Sequence, residues 1–439
     1  MTSRGSLARI VALLPMLVLS TAAEAVKLDY QVEMGIEHND NVNLSEDDPV
    51  SANVLRPSLG FTLSQEGSTI QASANGLLEY RDYLGGEFSD EFRSQLAGHL
   101  NWTVVPERLN MTVEDFLGVQ PINPLVANAP NNQQQTNVFA IGPTLSFRFG
   151  PTVRGQAELR YINSYADETK EFNSQRVSAA MRAIKDLSAT STISANVVDE
   201  RIDYTESDSG PDYNRYSAFG RYTRNWTRVD LVADIGYSWL RYSGNSIDDR
   251  DNPLGRATLT WRATDRSSIT GDFAYQFSDA ASGMLVTGDL GSTIPTNIST
   301  GDATVTSQPY LERRLSLGYA YRGDRLGFSV TPTYRKLDYG TSDVLEGTNL
   351  DQTGKGGSAT LSYLLRPLLS TGLTATGENL RYDEIAREDK TWTITAFLRQ
   401  QWTRNWSWRT ELTHYKRDSS AAGQSSDQNI IYFGVTYTR

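Results

Sequence analysis

Cysteine is missing from all 439 residues. Neither a disulfide framework nor a thiolate metal site is therefore open to this chain. Long apolar runs are equally scarce. The one marked run lies at residues 10–19, shorter than the roughly 18 residues that a membrane-spanning helix needs. A helical membrane protein is excluded on that ground, and a large soluble core is disfavoured by a hydrophobic content of 38%.

Histidine is nearly absent too, with His38, His99 and His414 scattered along the chain. No G-x-S-x-G elbow, H-E-x-x-H pair or phosphate-cradling glycine loop accompanies them. A barrel lipase built on His99 or His414 would need a serine within hydrogen-bond reach of the imidazole. Asp40, Asp47 and Asp48 have the charge for calcium but lack the glycine and terminal glutamate of a calcium loop. No catalytic, cofactor or metal residue is expected. With 41 Lys and Arg against 52 Asp and Glu, the net charge is −11, which makes nucleic acid a poor partner.

The N-terminus carries Arg4 and Arg9, the apolar run, and then Ala23-Glu24-Ala25. That order is a secretory signal peptide with a small-x-small cleavage site, so residues 1–25 are expected to be removed on export and 26–439 to form the domain.

Alternation of apolar and polar residues dominates what remains. Leu28, Tyr30, Val32, Met34 and Ile36 interleave with Asp29, Gln31, Glu33 and Gly35. Strands with this period present one face to lipid and one to water. Twenty such segments can be drawn, near 27–37, 53–64, 69–83, 91–103, 109–119, 136–149, 153–165, 174–185, 189–204, 213–226, 228–242, 253–263, 267–278, 309–322, 325–339, 355–366, 370–382, 390–402, 406–417 and 428–438. The expected fold is an all-β transmembrane antiparallel up-and-down barrel of about 20 strands, or 18 if two segments fail. The turns at 65–68, 150–152, 262–266 and 323–324 are tight and read as periplasmic, whereas 38–52, 120–135, 279–308 and 340–354 are long and read as extracellular.

Charge and tryptophan follow the same division. Arg108, Lys185, Arg228, Arg266, Arg325 and Arg404 mark the short turns, and acidic residues such as Asp47, Asp48, Asp248, Asp249, Glu388 and Asp389 mark the long loops. The acids suit an outer face against lipopolysaccharide, or simply solvated loops. Trp102, Trp226, Trp261, Trp402, Trp406 and Trp408 fall beside short turns, and Trp239 and Trp392 toward the long loops. Together they draw two membrane girdles.

If Phe61, Leu231, Ile235, Phe273, Leu317, Ile394 and Phe433 face lipid, a polar set faces the lumen. That set comprises Arg56, Arg93, Glu114, Asp115, Arg148, Arg154, Glu158, Arg160, Arg221, Asp230, Asp234, Asp272, Arg335 and Arg399. Such charge lines an aqueous path or forms a self-neutralising ladder that stiffens the wall. A barrel this wide is not filled by its own side chains. The loop at 279–308, rich in Gly, Ser and Thr, either folds inward as a constriction or lies outside as a surface loop.

Two stretches carry a family likeness. The first is Gly35-Ile36-Glu37-His38-Asn39-Asp40-Asn41-Val42-Asn43-Leu44. The second gathers Trp102, Pro106, Arg108, Leu109, Glu114-Asp115, Pro130-Asn131, Gln135 to Phe139, Gly142-Pro143 and Arg160-Tyr161. Over residues 33–161 the chain resembles outer-membrane β-barrel porin-group proteins associated with exosortase (PEP-CTERM) and exopolysaccharide gene clusters. The likeness implies a non-enzymatic passage for secreted exopolysaccharide, with polysaccharide as cargo and a periplasmic polysaccharide-export protein as partner. A general or solute-selective diffusion porin, or a structural surface barrel, is the alternative reading of the same lumen.

Overall fold

A computed structural model describes residues 26–206, 210–244, 247–287, 294–296, 304–340 and 350–439. The expected signal peptide, residues 1–25, lies outside the described residues.

Twenty strands form one sheet. They are β1 (Lys27–Asn39), β2 (Ala52–Glu66), β3 (Ile70–Tyr83), β4 (Glu91–Val105), β5 (Leu109–Pro121), β6 (Gln133–Arg148), β7 (Val153–Ala166), β8 (Ser174–Ser188), β9 (Ser191–Tyr204) and β10 (Tyr213–Asn225). The second half adds β11 (Val229–Tyr242), β12 (Arg250–Thr264), β13 (Ser267–Ser278), β14 (Tyr310–Arg322), β15 (Leu326–Asp338), β16 (Gln352–Arg366), β17 (Leu369–Tyr382), β18 (Arg387–Gln401), β19 (Trp406–Ser419) and β20 (Ser426–Thr438). Each pairs antiparallel with its sequence neighbours, and β1 pairs with β20. The expected closed barrel of about 20 strands is therefore the fold.

Register settles which side chains share a face, because directly paired residues point the same way. In β1, Gln31, Glu33, Gly35, Glu37 and Asn39 are buried, while Val32, Met34, Ile36 and His38 are exposed. Carried around the ladder, this parity sends Leu59, Phe273, Leu317, Leu412 and Phe433 outward, and all five are at least 40% exposed. A continuous apolar exterior on a barrel with no free edge belongs in hydrocarbon. Exposed Trp102, Trp226, Trp261, Trp402 and Trp406 ring the short-turn end, with Trp408 beside them. Trp239 and Trp392 also face outward, on β11 and β18 nearer the long loops.

The two ends differ in how they are finished. Tight turns such as 67–69 and 323–325 close one end, and connections such as 40–51, 122–132 and 279–309 close the other. One short helix, α1 (Ala280–Thr287), follows β13. It packs Ala280, Ala281 and Met284 onto Val138, Ala140, Ile162 and Ala166 of β6 and β7. Those are inward-facing wall positions, so the segment after β13 enters the barrel.

Candidate functional site: a crossed, charged lumen

Thirteen of the fourteen expected lumen residues face inward, from Arg56 to Arg399. Asp115 is the exception and is corrected. It stands beside Glu114 in β5, and adjacent strand residues face opposite sides. Glu114 pairs across from His99 on the inner face, whereas Asp115 pairs with Gly98 and Phe139 on the outer one. Its carboxylate accepts a 2.6 Å hydrogen bond from the Asn137 side chain, so the acid on the outer face is partnered.

Sequence pattern placed the wall charges but did not show how they pair. Arg56 reaches Glu37 at 2.5 Å and Glu79 at 2.6 Å, and Arg81 reaches Glu37 at 2.9 Å. Next to this group, Arg409 donates to Glu33 at 2.8 and 3.1 Å. Glu33 also accepts from Tyr432 at 2.5 Å and Thr436 at 2.6 Å. The Arg56 and Arg409 guanidiniums both lie over the Tyr432 ring, 4.9 and 4.6 Å from its centroid, within cation–π range. Gly434 makes room for it: a Cβ there would sit 2.7 Å from the Tyr432 hydroxyl oxygen. Asp234 similarly receives Arg221 at 2.7 Å and Arg256 at 2.8 Å.

The described parts of the loop at 279–308, residues 279–287 and 294–296, lie against the inner wall. Asp279 caps α1 through the backbone N–H of Ser282 at 2.9 Å. Its carboxylate accepts Arg176 of β8 at 2.9 and 3.1 Å and Arg215 of β10 at 3.4 Å. Burial alone would raise the Asp279 carboxyl, but the two guanidiniums outweigh it and hold it well below the usual carboxylate range. Further along, the carbonyl of Pro295 accepts Gln31 of β1 at 2.9 Å, and that of Thr296 accepts Arg409 of β19 at 3.0 Å. Gly60 of β2 admits this stretch, since a Cβ there would meet Ile294 Cγ2 at 2.7 Å and Pro295 O at 3.0 Å. Strands 8 and 10 hold one part of the segment and strands 1, 2 and 19 another. The described residues 279–287 and 294–296 are thus held on opposite sides of the lumen.

The loop at 122–132 also enters the lumen. Asn132 knits this loop together by donating to the carbonyls of Asn123 at 2.9 Å and Ala127 at 3.1 Å. From β5 and β6 it reaches the far wall, where Leu125 O accepts Arg387 of β18 at 2.5 Å and Arg417 of β19 at 3.3 Å. Asp389 orients both arginines, at 3.0 and 2.9 Å. Read from sequence, Asp389 belonged to a solvated acidic rim; it is instead a buried inner-wall acid. Of the histidines, His99 meets Glu114 at 3.3 Å, while His38 and His414 bond Asn53 at 2.9 Å and Asn429 at 2.8 Å on the outer side.

No family model matches the chain. No curated protein matches it in sequence. Among solved structures, the FrpB iron transporter from Neisseria meningitidis is similar over 94% of this chain and 82% of its own, at a TM-score of 0.48 and 8% identity. A mutant ferric enterobactin receptor from Pseudomonas aeruginosa gives 93% and 80%, 0.47 and 11%. The siderophore receptor PirA from Pseudomonas aeruginosa gives 95% and 81%, 0.44 and 12%. The likeness is one of large-barrel architecture. The expected exopolysaccharide passage, and the diffusion porin offered beside it, are corrected at this point: residues 279–287 and 294–296 and the loop at 122–132 are held inside the barrel, where either reading needs an open path. The chain's own barrel is a closed, twenty-stranded one of the outer-membrane kind, with parts of two loops held inside it.

Proposed function

We propose that this chain is a gated transporter of the bacterial outer membrane, which passes a solute without altering it chemically. The observation that carries this reading is the segment after β13, tied to Arg176 and Arg215 on one wall and to Gln31 and Arg409 on another. Passage requires those contacts to be exchanged for others. Charged and carbonyl contacts suit that task because each leaves a polar group that a solute or water can satisfy. The apolar docking of α1 on β6 and β7 supplies a hinge side that stays in place.

Planar-bilayer recording tests the reading. Full-length wild-type protein should be nearly silent. Asp279→Ala combined with Gly60→Val, which removes one anchor and crowds the other, should raise single-channel conductance at least several-fold. Equal conductance in the two proteins would defeat the proposal, whether both are open or both are sealed.

A further inference from the structure

Toward the short turns the inner wall changes character. Two arginine pairs stand directly opposite one another on adjacent strands there: Arg148 with Arg154, and Arg399 with Arg409. Like charges in that position repel at Cβ separations of about 5 Å, so each pair needs a counter-charge. Arg154 finds Asp186 at 2.7 Å and Arg409 finds Glu33 at 2.8 Å. Arg148 and Arg399 make no ion pair among the described residues. Glu411, which faces the same wall, is bound by Arg409.

The same end holds a cavity of about 1080 Å³, bounded by β12 to β18 and their short turns. Arg228, Arg262, Arg266, Arg322 and Arg325 line it against two acids, Asp265 and Asp324. Asp324 is engaged by Arg266 at 3.0 Å and Arg262 by Asp230 at 2.7 Å, and Arg322 forms no ion pair among the described residues. In a protein of net charge −11, this concentration of unmatched guanidinium is not a consequence of composition. Guanidinium forks recognise carboxylate and phosphate oxygens in pairs, and rings of arginine select anions in pores.

We propose that the short-turn half of the lumen is an anion-binding chamber, and that the transported solute carries carboxylate or phosphate groups. This rests on the gated-transporter reading for its biological role, but the chamber itself is tested by binding. Calorimetry with inorganic phosphate at low salt, on the full chain in detergent micelles, should show binding by wild type. Arg148→Glu with Arg322→Glu and Arg399→Glu should weaken it at least tenfold, while Arg381→Gln, on the outer face, should leave it unchanged. Heat-dependent gel mobility verifies that each barrel is closed. In the Asp279→Ala/Gly60→Val background, the reversal potential in a KCl gradient should report anion preference, moved toward cations by the three charge reversals. Absence of phosphate binding by closed wild-type barrels, equal binding by the triple variant, or cation preference of the released pore would each overturn the chamber. Phosphate binding retained alongside unaltered conductance would overturn the gating reading alone.

Discussion

Arginine does two different things in the two halves of this lumen. Toward the long loops, Arg176, Arg215, Arg387 and Arg417 are matched by Glu200, Asp279 and Asp389, and their side chains are at most 15% exposed. Toward the short turns, Arg322 lines the cavity, and Arg148, Arg322 and Arg399 make no ion pair among the described residues. The residue type is the same; the local supply of carboxylates decides whether it locks structure or stays available. Buried pairs resist loss of one member because the other is left as an uncompensated charge, whereas a solvated cation can be removed with little effect on the fold.

That contrast can be broken most forcefully at Arg176. Its side chain is 2% exposed and Asp279 beside it 3%, so Arg176→Ala should cost about 3–5 kcal/mol, read as a lowered urea midpoint in micelles. A loss near zero would show that the upper half is as solvated as the lower.

Acid should act on the upper half next. The folded Asp279 carboxyl lies below its ordinary value. Its stabilisation is therefore complete above the unfolded value of about 4 and fades as pH falls below that. Wild type should lose more stability between neutral pH and about pH 3 than Asp279→Asn does, and the difference between the two titrations isolates this group. Parallel curves would refute the assignment.

The smallest effect is expected below. Arg148→Gln and Arg399→Gln should each change the unfolding free energy, read from urea titration, by no more than about 0.5 kcal/mol, with any change toward greater stability because each relieves a like-charge pair. A large loss at either position would place a hidden counter-charge there and erase the difference between the halves.

Much of the barrel was legible in residue order because a strand's faces alternate without exception between bulges. Ile235 and Phe273 had to face lipid once Asp234 and Asp272 beside them faced inward, and segments as irregular as 253–263 still emerged as β12. Asp115 went astray because two adjacent acids cannot both follow the alternation, and nothing in Glu114-Asp115 says which one yields. The inward contacts of the loops were not legible. Leu125 receives Arg387 and Arg417 through its carbonyl oxygen, a group every residue has. Pro295 and Thr296 do the same for Gln31 and Arg409, and only closure of the barrel brings those positions within reach. Glycine gave the faintest signal: Gly60 marks where the chain passes close, but it looks like any other small residue in a strand.

The seam between the first and last strands sets the order of assembly. β1 shares thirteen positions with β2 and nine with β20, and the cluster of Glu33, Arg409, Tyr432 and Thr436 straddles that shorter ladder. Glu33 cannot find its three mates until the final hairpin has been laid beside the opening strand. The cylinder is therefore fastened last where its polar clasp lies, and a chain interrupted before β19 would reach the membrane as an unclosed ribbon.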